Sequence, residues 1–166
     1  MSQLIIYAKE DVLLKLAEGL VLRKDTKKRL EQLRERLKLS ALVQDGEEPP
    51  EDPQVLLTEV HRLLEQMTTL IQSINLTNLQ ALLPDGRTLT DALAERDTLS
   101  LYFNILDTTA TAATPKFERA NRSEIKKVST IKVADIRRQM DDIAQQRREL
   151  DTLIQSANWT TDLMGE

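Results

Sequence analysis

A chain of 166 residues, 40% of them apolar and 30% charged, can bury a core of about two-thirds of its unfolded surface and is too apolar to be disordered. Four Gly and five Pro are too few turn-formers for an all-β fold, and the absence of Cys excludes disulfides, thiolate metal sites and cysteine nucleophiles. A formal net charge of −4 gives no overall attraction to nucleic acid.

The first helix is predicted to begin near Glu10 or Asp11, acids suited to a helix N-terminus, and to run to about Leu39. Leu13, Leu16, Ala17 and Leu20 form its early stripe, and Leu30, Leu33 and Leu37 its later one. Between them Arg23-Lys24-Asp25-Thr26-Lys27-Lys28-Arg29 is polar all round, either a solvent-crossing section or a break between two helices. A loop follows over residues 41–53, with Gly46 and Pro49-Pro50 blocking helix. Asp52-Pro53 reads as an N-cap with proline at the first helical position. The second helix is expected to reach about Ile74. Its broad face of Leu56, Val60, Leu63, Leu64, Met67, Leu70, Ile71 and Ile74 makes it the most buried by expectation.

Pro84-Asp85-Gly86 between short apolar stretches signals a small hairpin or tight loop, and Thr88 with Asp91 resembles a capping box. A third helix then runs to about Thr108, and the Thr- and Ala-rich stretch to Pro115 reads as a linker or frayed helix end. Ile125, Val128 and Ile131 suggest one strand, able to pair near Leu82 or Thr88 as a small ribbon. In the last helix Ile136, Met140, Ile143, Leu150, Ile154 and Ala157 fall three and four apart, Arg147 alone interrupting them. That narrow seam is the pattern of coiled-coil and bundle packing. Trp159, directly after it, either caps the bundle end or anchors an interface.

Thirty helical residues would span roughly 45 Å, against roughly 40 Å for the width of a compact chain of this size. The expected fold is therefore one mainly α domain over residues 1–166. It is an elongated antiparallel helical bundle or coiled coil with a small β-hairpin or ribbon, completing its burial as a homo-oligomer.

Candidate chemistry is sparse. His61 is the only histidine, one helical turn from Glu65, and reads as a surface pair rather than a metal site. The acids three apart, Asp45/Glu48 and Glu48/Glu51, sit in the acidic loop rather than on helices, which disfavours a carboxylate-held magnesium site. One histidine cannot supply a ferritin-like di-iron centre, and four scattered glycines make neither a phosphate loop nor a dinucleotide fingerprint. No catalytic, cofactor-binding or metal-ligating residue is assigned. Between Pro115 and Arg138 eight bases stand against three acids, and Arg87, Arg122, Lys126 and Lys127 form a candidate anion site. Phe117 is the lone aromatic there, so nucleic-acid binding is disfavoured. The candidate interface residues are Ile136, Met140, Ile143, Leu150, Ile154 and Trp159. The run Leu4-Ile5-Ile6-Tyr7-Ala8 is too short for a signal segment or membrane span, so a cytoplasmic protein is expected.

Three stretches carry a family resemblance: Asp85-Gly86-Arg87-Thr88-Leu89-Thr90-Asp91-Ala92-Leu93, Ser123-Glu124-Ile125-Lys126-Lys127-Val128-Ser129-Thr130, and Asn158-Trp159-Thr160-Thr161. With the Leu-rich first helix and the Glu47-Glu48-Pro49-Pro50-Glu51-Asp52-Pro53 loop, the chain resembles, over about residues 13–163, small bacterial proteins carried under the name septicolysin. The resemblance implies a mainly helical protein without an established activity and no catalytic residues to transfer. The name itself implies a thiol-activated, membrane-damaging toxin. This chain departs from that in having no cysteine, no visible secretion signal and no long amphipathic β-hairpin. The leading expectation is a self-assembling structural or protein-interaction module without catalytic activity. The alternative is a hydrolase or an anion- or nucleotide-binding protein using the basic pocket, and a cytolysin is a minor third.

Overall fold

The computed structural model describes residues 13–114 and 128–165. The described chain is mainly helical, with α1 (Leu16–Ser40), α2 (Pro53–Gln80), α3 (Leu89–Ala113) and α4 (Val133–Thr160). It divides into two compact units: residues up to Ala81 together with those from Ala157 onward, and the intervening Leu82–Ser156.

In the first unit α1 starts at Leu16, later than its acidic prelude suggests; Glu10 and Asp11 lie outside the described residues. The backbone just before Leu16 is committed elsewhere. Leu163 N–H donates to the Leu14 carbonyl at 2.6 Å, and Leu16 N–H donates to the Thr161 carbonyl at 2.9 Å. The helix is continuous through Arg23–Arg29, so this stretch is a helical section and not a break. Nothing between Leu20 and Leu37 is Gly or Pro, and the one buried side chain of the polar section, Thr26, donates its hydroxyl to the Leu22 carbonyl at 2.8 Å.

Helix α2 begins as expected, Asp52 Oδ1 accepting from Gln54 N–H at 2.8 Å with Pro53 in the first turn. Leu33, Leu56 and Leu63 form its core with α1, flanked by Leu30, Leu37 and Val60. Ion pairs Arg36–Glu51 and Arg29–Glu59 bind the same two segments in antiparallel order. The helix runs nearly two turns past Ile74, because Thr77 is a fully buried anchor for the tail. Its hydroxyl donates to the Ser73 carbonyl at 2.7 Å and accepts from Met164 N–H at 2.9 Å. The broad face of α2 is not the best-covered surface of the chain. Leu56, Leu63 and Ile74 are buried, whereas Leu57, Leu64 and Ile71, seven residues apart along one edge, are exposed.

In the second unit the Pro84-Asp85-Gly86 turn closes through Gly86 N–H to the Leu83 carbonyl (2.9 Å) and Leu83 N–H to the Arg87 carbonyl (2.8 Å), with Gly86 at φ +85°. A single bridge, Leu82 with Thr88, is all the pairing that results. The expected β-ribbon is therefore absent among the described residues, which contain isolated bridges but no strand. Two local bonds explain this. Thr88 is taken as the N-cap of α3, and the Ser129 hydroxyl occupies both backbone groups of Ile131, donating to its carbonyl at 2.7 Å and accepting from its N–H at 3.3 Å. Ile125 lies outside the described residues.

Helix α3 extends to Ala113, through the stretch expected to be a linker or a frayed helix end. Thr108 and Thr109 stay helical by donating their hydroxyls to the carbonyls of Asn104 and Ile105. Along α4, Ile143, Leu150 and Ile154 are buried and Ile136 and Met140 half-buried, so much of the expected interface seam is covered within the chain itself.

Candidate functional site

Arg87 follows directly from the Gly86 turn, and its neighbours are acids. Its guanidinium bonds Asp85 Oδ2 from Nη2 at 2.6 Å and from Nε at 3.0 Å, and also pairs with Glu95 in the second turn of α3. The Arg87 guanidinium, helped by the Arg87 backbone N–H, holds the Asp85 carboxyl below its usual range, and Asp85 in return raises Arg87. The other candidate anion-binding residues, Arg122, Lys126 and Lys127, lie outside the described residues. His61 is exposed and sits 3.3 Å from Glu65. Among the described residues no cluster of three or more His, Asp or Glu is arranged to hold a metal ion.

Arg147, the interruption in the α4 seam, lies with its guanidinium carbon 5.9 Å from the centre of the Phe103 ring, a cation–π distance. Its Nε is buried without a hydrogen-bond partner. Close by, Tyr102 donates its hydroxyl to Gln139 at 3.4 Å. A cleft of about 370 Å³ lies between the end of α3 and the start of α4, lined by Phe103, Asp107, Ala110, Thr111, Arg137, Met140 and Asp141.

The larger features are apolar and uncovered. Trp159, a candidate interface residue, is 62% exposed at the end of α4. On α3 the buried or half-buried residues Leu89, Ala92, Leu99, Phe103, Leu106 and Ala110 mark one side. The opposite side carries Leu101, 61% exposed, and Ile105, 53% exposed. The sequence reading missed this second face because Leu99, Leu101, Phe103, Ile105 and Leu106 crowd one stretch and, taken by themselves, do not separate into two sides. The signal is nevertheless in the spacing. Ala94, Thr98, Leu101, Ile105, Thr108 and Ala112 fall four, three, four, three and four apart, and none is charged.

Among the described residues no helix is long and apolar enough to cross a membrane. No curated protein matches the chain. A crystal structure of a functionally unknown conserved protein from Corynebacterium diphtheriae is similar, with 37% identity and a TM-score of 0.86 over 92% of this chain and 100% of that one. The likeness to septicolysins is overturned by these findings. Two of the three stretches that suggested it are local-structure signals: Asp85–Asp91 is a tight turn followed by an N-cap, and Asn158-Trp159-Thr160-Thr161 is a helix end; most of the third, residues 123–130, lies outside the described residues. Over residues 23–163 the chain matches a family of unknown function, DUF6847, and it belongs to that family.

Proposed function

We propose that this protein is a self-assembling structural or protein-interaction module of the cytoplasm, a helical bundle without catalytic activity that works as a homo-oligomer. The observation that carries this reading is the pair of uncovered apolar helix edges, Leu57–Leu64–Ile71 on α2 and Leu101–Ile105 on α3, together with exposed Trp159. Scattered exposed Leu residues are ordinary, but rows at helical spacing are surfaces built to meet another helix. The family match spans residues from both units, which supports treating them as one domain.

Multi-angle light scattering from low micromolar to a few hundred micromolar tests it. A mass that is a multiple of 18.9 kDa is expected, and a strictly monomeric chain across that range ends the self-assembly reading. The anion-pocket alternative has less support, since an anion reaching Arg87 must displace both Asp85 and Glu95.

A further inference from the structure

We propose that α3 is the self-pairing helix. Two copies of the chain meet antiparallel along Ala94, Thr98, Leu101, Ile105, Thr108 and Ala112, with Leu101 of one copy against Ile105 of the other. This rests on the self-assembly reading above and specifies its contact.

The seam reads the same from both ends. About a centre at position 103, Ala94 opposes Ala112, Thr98 opposes Thr108, and Leu101 opposes Ile105. A two-fold contact requires such self-complementarity, because the same patch serves both copies. Like residues meet in each pair: the large aliphatics at the centre, the threonines outside them, and alanines at the ends, where small side chains let the helices approach. The seam threonines bring no unsatisfied hydroxyl. Thr98 Oγ1 donates to the Glu95 carbonyl and Thr108 Oγ1 to the Asn104 carbonyl, so these groups keep their partners when covered.

Charge selects the same orientation. Three of the four acids of α3, Asp91, Glu95 and Asp97, lie in its first half; the fourth, Asp107, lines the cleft with Phe103 and Ala110, and residues 108–113 are all Thr or Ala. Parallel pairing would lay each acid against its own copy. Antiparallel pairing brings Glu95 level with Thr111 of the second copy and Asp97 level with its Thr109, and it also opposes the two helix dipoles. On α2 the Leu57–Leu64–Ile71 row is symmetric about Leu64, but the positions between pair unlike residues, Val60 with Thr68 and His61 with Met67, and the row adjoins a face already buried at Leu56 and Leu63. The α3 seam, spanning about 27 Å, buries on the order of several hundred Å² per copy, at the small end of specific interfaces. Association in the micromolar range follows.

The chain has no cysteine, so single-cysteine cross-linking reads the register directly. Thr98→Cys and Thr108→Cys proteins, distinguished by mass, are mixed at about 100 µM (well above a micromolar Kd) and oxidised. A disulfide between the two variants is expected. Neither variant alone should cross-link, since position 98 lies about 15 Å along the helix axis from its own copy, too far for a disulfide. Thr98→Cys alone cross-linking as readily as the mixture overturns the antiparallel register. Leu101→Glu, on an exposed face, should halve the mass seen by light scattering while the far-ultraviolet helix signal stays constant. An oligomer whose mass survives Leu101→Glu and whose cysteines do not join uses another face: the α3 contact is then wrong while self-assembly stands. A monomeric parent protein removes both.

Discussion

Thr77 does two things with one hydroxyl: it donates to the helix that carries it and accepts the Met164 N–H of the tail. Replacing it with Val keeps the shape and strands a buried N–H, which should cost about 1–2 kcal/mol. The matching observation is amide exchange at Met164, expected to lose protection in Thr77→Val and to keep it in Thr77→Ser. Exposed carboxylates respond to a different variable. Asp85 is held below its usual range by Arg87, and Glu51 by Arg36. A carboxyl lowered in the folded state releases its proton more readily there than in the unfolded chain. Its contribution is complete above the ordinary carboxyl range and disappears as pH falls through the lowered value. Both pairs face solvent, so added salt should weaken the effect. Carboxyl NMR titration should show Asp85 returning to the ordinary range in Arg87→Ala; an unmoved titration would remove Arg87 as the cause.

At the level of elements, starts and stops differ in how local they are. Thr88 Oγ1 accepts from Asp91 N–H at 3.1 Å, and Asp91 Oδ2 accepts from Thr88 N–H at 3.3 Å, closing the first turn of α3 within four residues. Thr88→Ala should lower the urea-unfolding free energy by about 1 kcal/mol; no change would mean that the cap is idle. Such caps are legible in sequence because both partners lie within one turn, and Asp52-Pro53 was readable for the same reason. The start of α1 and the end of α2 were not legible. Each is set by backbone or hydroxyl groups that bond residues 161–164, far away in sequence. The second apolar face of α3 was hidden because Leu101 and Ile105 are interleaved with the inward-facing Leu99, Phe103 and Leu106. The seam position of Arg147 was visible, but its resting place over Phe103 was not, since the ring comes from a different helix 44 positions earlier. For the anion site, sequence brought out the basic residues but not the two acids that already hold Arg87.

For the whole molecule, a small net charge leaves little electrostatic repulsion to oppose copies coming together. The two units differ in how the chain supplies them. The second is one uninterrupted stretch, Leu82–Ser156, whereas the first is completed only by residues from Ala157 onward. Its tail is fastened at several points: the Lys15–Asp162 ion pair, the Leu14, Leu16 and Thr77 hydrogen bonds, and Leu163 against Gly19, where an added Cβ would come within 2.8 Å of its Cδ2. Apart from the Thr77 bond, these fastenings join residues nearly 150 positions apart and close the chain into a loop. During ribosomal synthesis that loop stays open until residues 161–164 have been made. The stretch destined for the second unit is fully made before the first can be sealed, so α1 and α2 must wait, with the anchoring site at Thr77 unfilled, for residues 161–164 to leave the ribosome.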